Sequence, residues 1–214
     1  QSIFPQSFVF VINDAFAQCL GGVHQYLNAQ KPSYFPIHVA YVGMGTGLGG
    51  AFCKVMGPDH IDFISDGHIY DVMIKGPKGI CIAEDVLSGS GFLKQFGQKP
   101  ETIFLDTRYI EQLKETTAVI GKMCYHLLKY LLVGPLKKRD TLWSKDEINK
   151  VAKTELFLFG ASFAKASLGR DLWFDICQKH LLEDKALLKK PNLYFIPEPD
   201  KAAMQGLFLF LLKK

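Results

Sequence analysis

No Cys-x-x-Cys pair occurs among the five cysteines (Cys19, Cys53, Cys81, Cys124 and Cys177), and their number is odd. Both facts argue against a zinc cluster or a disulfide framework and favour reduced thiols in a cytoplasmic setting. No Gly-Lys-Ser or Gly-Lys-Thr occurs, which excludes a P-loop. No signal-peptide pattern is visible. The most apolar long segment, residues 116–133, is interrupted by Lys122, His126 and Lys129. It reads as a buried helix and not as a membrane span. Neither sign of charge dominates: 25 Lys and Arg stand against 21 Asp and Glu, a net charge of +4. The basic runs Lys137-Lys138-Arg139 and Lys189-Lys190 are short and lack interleaved aromatics. They read as solvated loop charge and give nucleic-acid binding no support. Internal repeats and low-complexity segments are also missing.

What is there is an ordinary globular composition, 48% hydrophobic and 21% charged over 214 residues, enough for one large domain or two small ones. The exception is Val42-Gly43-Met44-Gly45-Thr46-Gly47-Leu48-Gly49-Gly50-Ala51. So many glycines serve where backbone must approach something closely or take positive φ. Successive N–H groups in such a turn form a concave anion site. Gly45 to Gly50 also fits the dinucleotide pattern G-x-G-x-x-G, which requires a helix to start at the glycines. Instead Ala51-Phe52-Cys53-Lys54-Val55-Met56 runs straight into Gly57-Pro58. That is too short for a helix and rich in β-formers, so a second strand is expected and a nicotinamide site is disfavoured. Two readings stay open: a hairpin whose tip holds phosphate, or a plain glycine-rich turn.

Along the chain, Phe8-Val9-Phe10-Val11-Ile12 is a continuous apolar β-run. Coming so soon after Gln1, it reads as the interior of a larger design. Residues 15–28 read as a helix with Phe16, Leu20, Val23 and Leu27 on one face, weakened by Gly21-Gly22. Asp14 stands where an N-cap would stand. It is alternatively a carboxylate held at a strand end, where ligands collect in open α/β sheets. Strands are expected over residues 61–64, 69–74 and 80–82, and a short helix through Phe96. His68 reads as a loop histidine and Glu84 as a surface or first-turn carboxylate. From Thr107 the pattern turns helical: an amphipathic stretch over 108–115, then 116–133, stopped by Gly134-Pro135. Ser144-Lys145-Asp146-Glu147 is a capping box opening a helix through Lys153. Residues 156–159 and 193–196 read as strands, 172–182 and 201–212 as helices.

Five stretches, in order, resemble the bacterial glucokinase family of the hexokinase superfamily. Asn13-Asp14-Ala15 is similar to its strand-end Asn-Asp motif, and Gly43 to Ala51 to its second phosphate motif. Asp66-Gly67-His68 is similar to the end of its Glu-Gly-Gly-His sugar motif. Ala83-Glu84-Asp85-Val86-Leu87-Ser88-Gly89-Ser90-Gly91-Phe92 resembles its Glu-x-Val-Leu-Ser-Gly-Pro-Gly-Leu stretch and is the most specific match. Phe159-Gly160-Ala161 falls where its adenosine-binding glycines lie.

The resemblance implies an α/β chain of the actin-like ATPase (ribonuclease H-like) fold. Residues 1–30 would be a small-domain remnant, 31–198 the large domain and 199–214 a C-terminal helix. It implies phosphoryl transfer from ATP, with Mg2+ arriving on the nucleotide, to the 6-hydroxyl of glucose or a related hexose. Asp14 would be the catalytic base. Asn13, Asp66, His68 and Glu84 would bind the sugar, and Gly45, Thr46, Gly47 and Gly160 the phosphate and nucleotide. The sister group of repressor-like sugar kinases carries a cysteine-rich zinc motif after its histidine; this chain does not, so no structural zinc is expected. Ser65 stands where the family has a sugar-binding glutamate, and Ser90 replaces a proline. The family's opening Asp-x-Gly-Gly-Thr loop would lie upstream of Phe8. Activity is therefore expected only with an N-terminal portion. The alternative is an inactive sugar-binding or protein-interaction module, paired with a partner or a second copy.

Overall fold

The computed structural model describes residues 12–65, 67–105, 107–134, 143–161 and 167–212. In chain order the elements are α1 (Asp14–Gln30), β1 (Ile37–Met44), β2 (Leu48–Gly57), β3 (His60–Ser65), β4 (Met73–Gly76), β5 (Gly79–Ile82), α2 (Glu84–Leu87), α3 (Gly89–Phe96), α4 (Pro100–Leu105), α5 (Ile110–Val133), α6 (Lys145–Val151), β6 (Leu156–Gly160), α7 (Ser167–Glu183), β7 (Asn192–Phe195) and α8 (Pro199–Leu212). Short 3-10 turns cover Ile69–Asp71 and Thr107–Tyr109. The apolar run over residues 8–11 and Asp66 lie outside the described residues.

Five strands form one mixed sheet in the order β3-β2-β1-β6-β7. β1 and β2 pair antiparallel from Ile37 opposite Val55 to Met44 opposite Leu48. β6 joins the other edge of β1 in parallel, Val39 opposite Leu156 through Gly43 opposite Gly160. β7 runs parallel to β6, and β4 and β5 make a separate antiparallel hairpin. The glycine stretch is thus strand, turn and strand, as its length and β-formers require.

The continuous burial of β1 and β6 follows from helices on both faces. Val39, Tyr41, Leu156 and Leu158 point to one side and pack with Ala15, Cys19 and Val23 of α1 and Ala202 of α8. Ala40, Val42, Phe157 and Phe159 point to the other and join Ile120, Cys124 and Leu127 of α5 and Trp173 and Cys177 of α7.

Local details differ from the linear reading at four places. The N-cap of α1 is Asn13, whose Oδ1 accepts from the Ala15 and Phe16 amides at 2.9 and 3.2 Å. Asp14 is instead the first helical residue. Helix start depends on which of two adjacent capping residues stays extended, and Asn13 does, at φ −62°, ψ 134°. Residues 69–71 form a tight turn that buries Ile69, and the strand begins only at Met73. The two helical stretches over 108–133 are one helix, α5, because no breaker separates them. Gly21-Gly22 does not interrupt α1: a Cβ at Gly21 would stand 2.5 Å from the Ala202 carbonyl carbon, so Gly21 lets α8 cross α1 in backbone contact, while Gly22 faces the Ile196 and Leu158 side chains. The Ser144 capping box is formed in full, with Glu147 as its second half. No helix among the described residues is long and apolar enough to cross a membrane.

Candidate functional site

The tips of β1 and β6, the start of α1 and the start of α2 surround a cleft of about 460 Å3. Asn13 and Asp14 enter it from the N-terminus of α1, Gly45, Thr46 and Gly47 from the hairpin turn, and Glu84 from the first residue of α2. Six of the residues singled out in the sequence therefore meet around one space. Three elements distant in the chain bring them together, because β6 inserts beside β1 and α1 lies across both.

The turn is held by its own backbone and by α3. The Gly45 amide donates to Gly47 O at 3.0 Å, and the Gly89 and Ser90 amides donate to the carbonyls of Gly45 and Thr46 at 2.6 and 3.3 Å. Ser90 Oγ donates to the same Thr46 carbonyl at 3.1 Å. The serine that stands in place of a proline thus ties α3 to the turn. Among the described residues the Thr46 and Gly47 amides find no protein acceptor. Close approach is built in as well. A Cβ at Gly47 would lie 3.0 Å from Glu84 Oε1, and one at Gly49 3.3 Å from Ala15 Cβ. Free amides in a turn that side chains would fill suit a phosphate oxygen.

The charge balance of the cleft decides between ligand classes. Asp14 and Glu84 are its charged side chains, and neither Lys, Arg nor His lines it among the described residues. Two carboxylates facing a bare anion repel it. They suit a neutral polyol, whose hydroxyls donate to them, or a phosphate that brings its own cation. The described residues contain no group of three or more His, Cys, Asp or Glu able to hold a metal ion.

Two sequence-picked residues stand back from the cleft. His68 does not line it; its Nδ1 is 2.7 Å from the Tyr70 hydroxyl, and Tyr70 does. Gly160 lies beneath Tyr41, where a Cβ would come 2.7 Å from the ring; its neighbour Ala161, at φ 64°, takes the lining position. Gln18, Tyr41 and Tyr70 were not singled out in the sequence, and Ala161 only as the end of the Phe159-Gly160-Ala161 match. Gln18 alone had a signal there, being one helical turn beyond Asp14 on the same face. Tyr41 is buried yet reaches the cleft, and its hydroxyl donates to Gln18 Oε1. Burial, reinforced by the Cys19 thiol and the Asp14 carboxylate, pushes its phenol well up, so it remains a donor.

No family model matches this sequence, and no curated protein matches it. Solved structures do. A ROK hexokinase from Thermus thermophilus aligns with a TM-score of 0.56 at 15% identity, over 96% of this chain and 68% of that one. A glucokinase from Parabacteroides distasonis aligns with a TM-score of 0.58 at 13% identity, over 96% and 68%. A ROK family transcriptional regulator, a homologue of the E. coli MLC protein, aligns with a TM-score of 0.55 at 15% identity, over 94% and 51%. The fold is therefore the actin-like ATPase fold of the hexokinase-like sugar kinases. Here it spans about two thirds of the length of the two kinases it matches.

Proposed function

We propose that this chain carries the sugar and phosphate half-sites of a glucokinase-like sugar kinase, with a hexose as ligand. The observation that carries the reading is the pairing of Asp14 and Glu84 with the Thr46–Gly47 amides in a cleft that no cationic side chain lines among the described residues. Carboxylates accept from sugar hydroxyls and backbone amides donate to a phosphoryl group, which are the two tasks of hexose phosphorylation. Asp14 would orient and deprotonate the attacking hydroxyl. Glu84 and the Asn13 amide would hold other hydroxyls, and His68 would act on the sugar through Tyr70. ATP would place phosphate on the glycine turn. Its Mg2+ would supply positive charge to balance Asp14 and Glu84. Asp66 belongs to the same sugar group by sequence resemblance.

A second reading, a binding or regulatory module without turnover, rests on Ser65. In place of a sugar-binding glutamate the chain has a buried serine whose Oγ accepts from the Gly67 amide at 3.2 Å and does not line the cleft. The fold is also shared with a transcriptional regulator.

Calorimetric titration of the chain with glucose, alongside Asp14→Ala and Glu84→Gln, tests the first reading. Glucose binding that both substitutions weaken by tenfold or more is the expected result. A folded chain that binds no hexose would overturn it. A coupled assay for ADP release with MgATP then separates kinase from module: turnover that Asp14→Ala abolishes supports the kinase, and binding without turnover supports the module.

A further inference from the structure

Tyr41 stands out as a large aromatic two residues before the glycine stretch begins at Gly43. It is 1% exposed, and its ring lies over two glycines that face each other across β1 and β6. A Cβ at Gly43 would come 2.6 Å from its Oη, and one at Gly160 2.7 Å from its Cε2. Those two glycines make room for the ring, which accounts for Gly160 without a nucleotide. The ring is therefore fixed from below by backbone and from the side by Cys19 and the rest of the α1 core. Its hydroxyl donates to Gln18 Oε1 on α1.

That bond settles the orientation of the Gln18 amide. In that bond the carbonyl end of Gln18 faces the Tyr41 hydroxyl and the –NH2 end turns away. Gln18 lines the cleft, one helical turn beyond Asp14. Its Nε2 has no hydrogen-bond partner among the described residues. Beside the two carboxylates, which accept hydrogen bonds, Gln18 supplies two N–H groups on a pre-oriented arm.

We infer that Gln18 is a ligand-reading residue of this cleft: held by Tyr41, its amide donates to an acceptor oxygen of the bound ligand, a sugar hydroxyl or a phosphoryl oxygen. Tyr41 is the positioning residue and acts only through Gln18. The inference rests on the reading of the cleft as the ligand site, and it adds a side-chain donor from the second turn of α1 to those that Asn13 and the glycine turn provide. The specificity follows from chemistry. A ligand lacking an oxygen at that point would forgo the hydrogen bond from that amide and bind less well.

The test is a double-substitution cycle on the full chain, read by calorimetry with glucose in one arm and MgATP in the other. Gln18→Glu keeps an acceptor for the Tyr41 hydroxyl and removes the donors; Gln18→Ala removes both. Each is expected to weaken the ligand whose oxygen Gln18 reads by roughly tenfold, the scale of a hydrogen bond in a desolvated site. Tyr41→Phe keeps the ring on its glycines and is expected to weaken the same ligand a few-fold. In the Gln18→Ala background Tyr41→Phe should cause no further loss, a result that a merely structural role for the phenol would not give. Thermal unfolding of each variant checks that the fold is intact. The arm that responds identifies the oxygen as sugar or phosphoryl. Wild-type binding that Gln18→Glu and Gln18→Ala leave within twofold would overturn this inference alone. Losses at Gln18 and Tyr41 that simply add would overturn the positioning role. A folded wild-type chain that binds neither ligand would overturn both this inference and the proposed function.

Discussion

Replacing Gly21 by Ala tests whether the helix that carries the cleft residues is set by backbone contact with α8. A Cβ there would stand 2.5 Å from the carbonyl carbon of Ala202 and 2.7 Å from its Cα, and closer still to its oxygen. Carbon atoms in contact normally keep about 3.5–4.0 Å, so the helices would have to part by about 1 Å. The obstacle is backbone on both sides, and no rotamer change relieves it. Gly206 makes the reciprocal approach, where a Cβ would lie 2.7 Å from the Ala17 carbonyl carbon. Overpacking of this kind costs about 1–3 kcal/mol, and the upper end is expected here. Against it stands a gain of about 1 kcal/mol in helix propensity. The net loss should be about 2 kcal/mol, which for a chain of this size lowers Tm by about 4–8 °C. Denaturant titration at constant m and a thermal scan measure it. Gly57→Ala is the control, since a Cβ at Gly57 meets nothing within 4 Å; it should stay within about 0.5 kcal/mol. Because α1 also carries Asn13, Asp14 and Gln18, Gly21→Ala should weaken ligand binding along with stability. A Gly21→Ala chain as stable as the wild type, or more stable, would refute the backbone-contact argument.

Three further outcomes are expected. Asn13→Ala removes the cap of α1 and should cost about 1 kcal/mol in chemical denaturation, with fraying next to Asp14. His126 is half-buried on α5, and burial together with Lys122 and Lys75 pushes its pKa down to about 4. The neutral form is therefore favoured in the folded chain, so the stability it contributes is present above its unfolded value near 6.5 and is lost as pH falls from there toward 4. His126→Gln should flatten the stability–pH curve in that window, and unchanged curvature would refute this. Cys19, Cys53, Cys124 and Cys177 are buried and Cys81 is partly exposed. Burial also holds the Cys81 thiol above its ordinary pKa, so alkylation of the native chain should be slow and confined to Cys81, as peptide mapping would show.

Local interactions made much of the fold legible. The hairpin around Gly45–Gly47 follows from alternating β-formers and a segment too short for a helix. The long helix over residues 116–133 follows from its apolar period and its stop at Gly134-Pro135. The Ser144 box follows from two side chains three residues apart. These are contacts within a few residues, which the linear order already contains. The candidate site was legible where its residues sit in such local motifs: Asn13-Asp14, the glycine turn and Glu84.

Tertiary structure decided the rest. Which of Asn13 and Asp14 caps α1 depends on where the helix is docked, and α8 helps to dock it. Gly21-Gly22 reads as a weak point in a lone helix, yet Gly21 is where a second helix crosses, because a missing Cβ has meaning only when something approaches it. Gly160 looks like a ligand contact in sequence and lies under Tyr41 once β6 pairs with β1. Tyr41 and Gln18 are 23 residues apart, and only the docking of α1 across β1 and β6 brings phenol and amide together. The sequence by itself determined the elements and their chemistry, since those rest on neighbours along the chain. Strand order and helix docking determined which of those chemical groups share a cleft, since burial of both sheet faces fixes partners that no local pattern encodes.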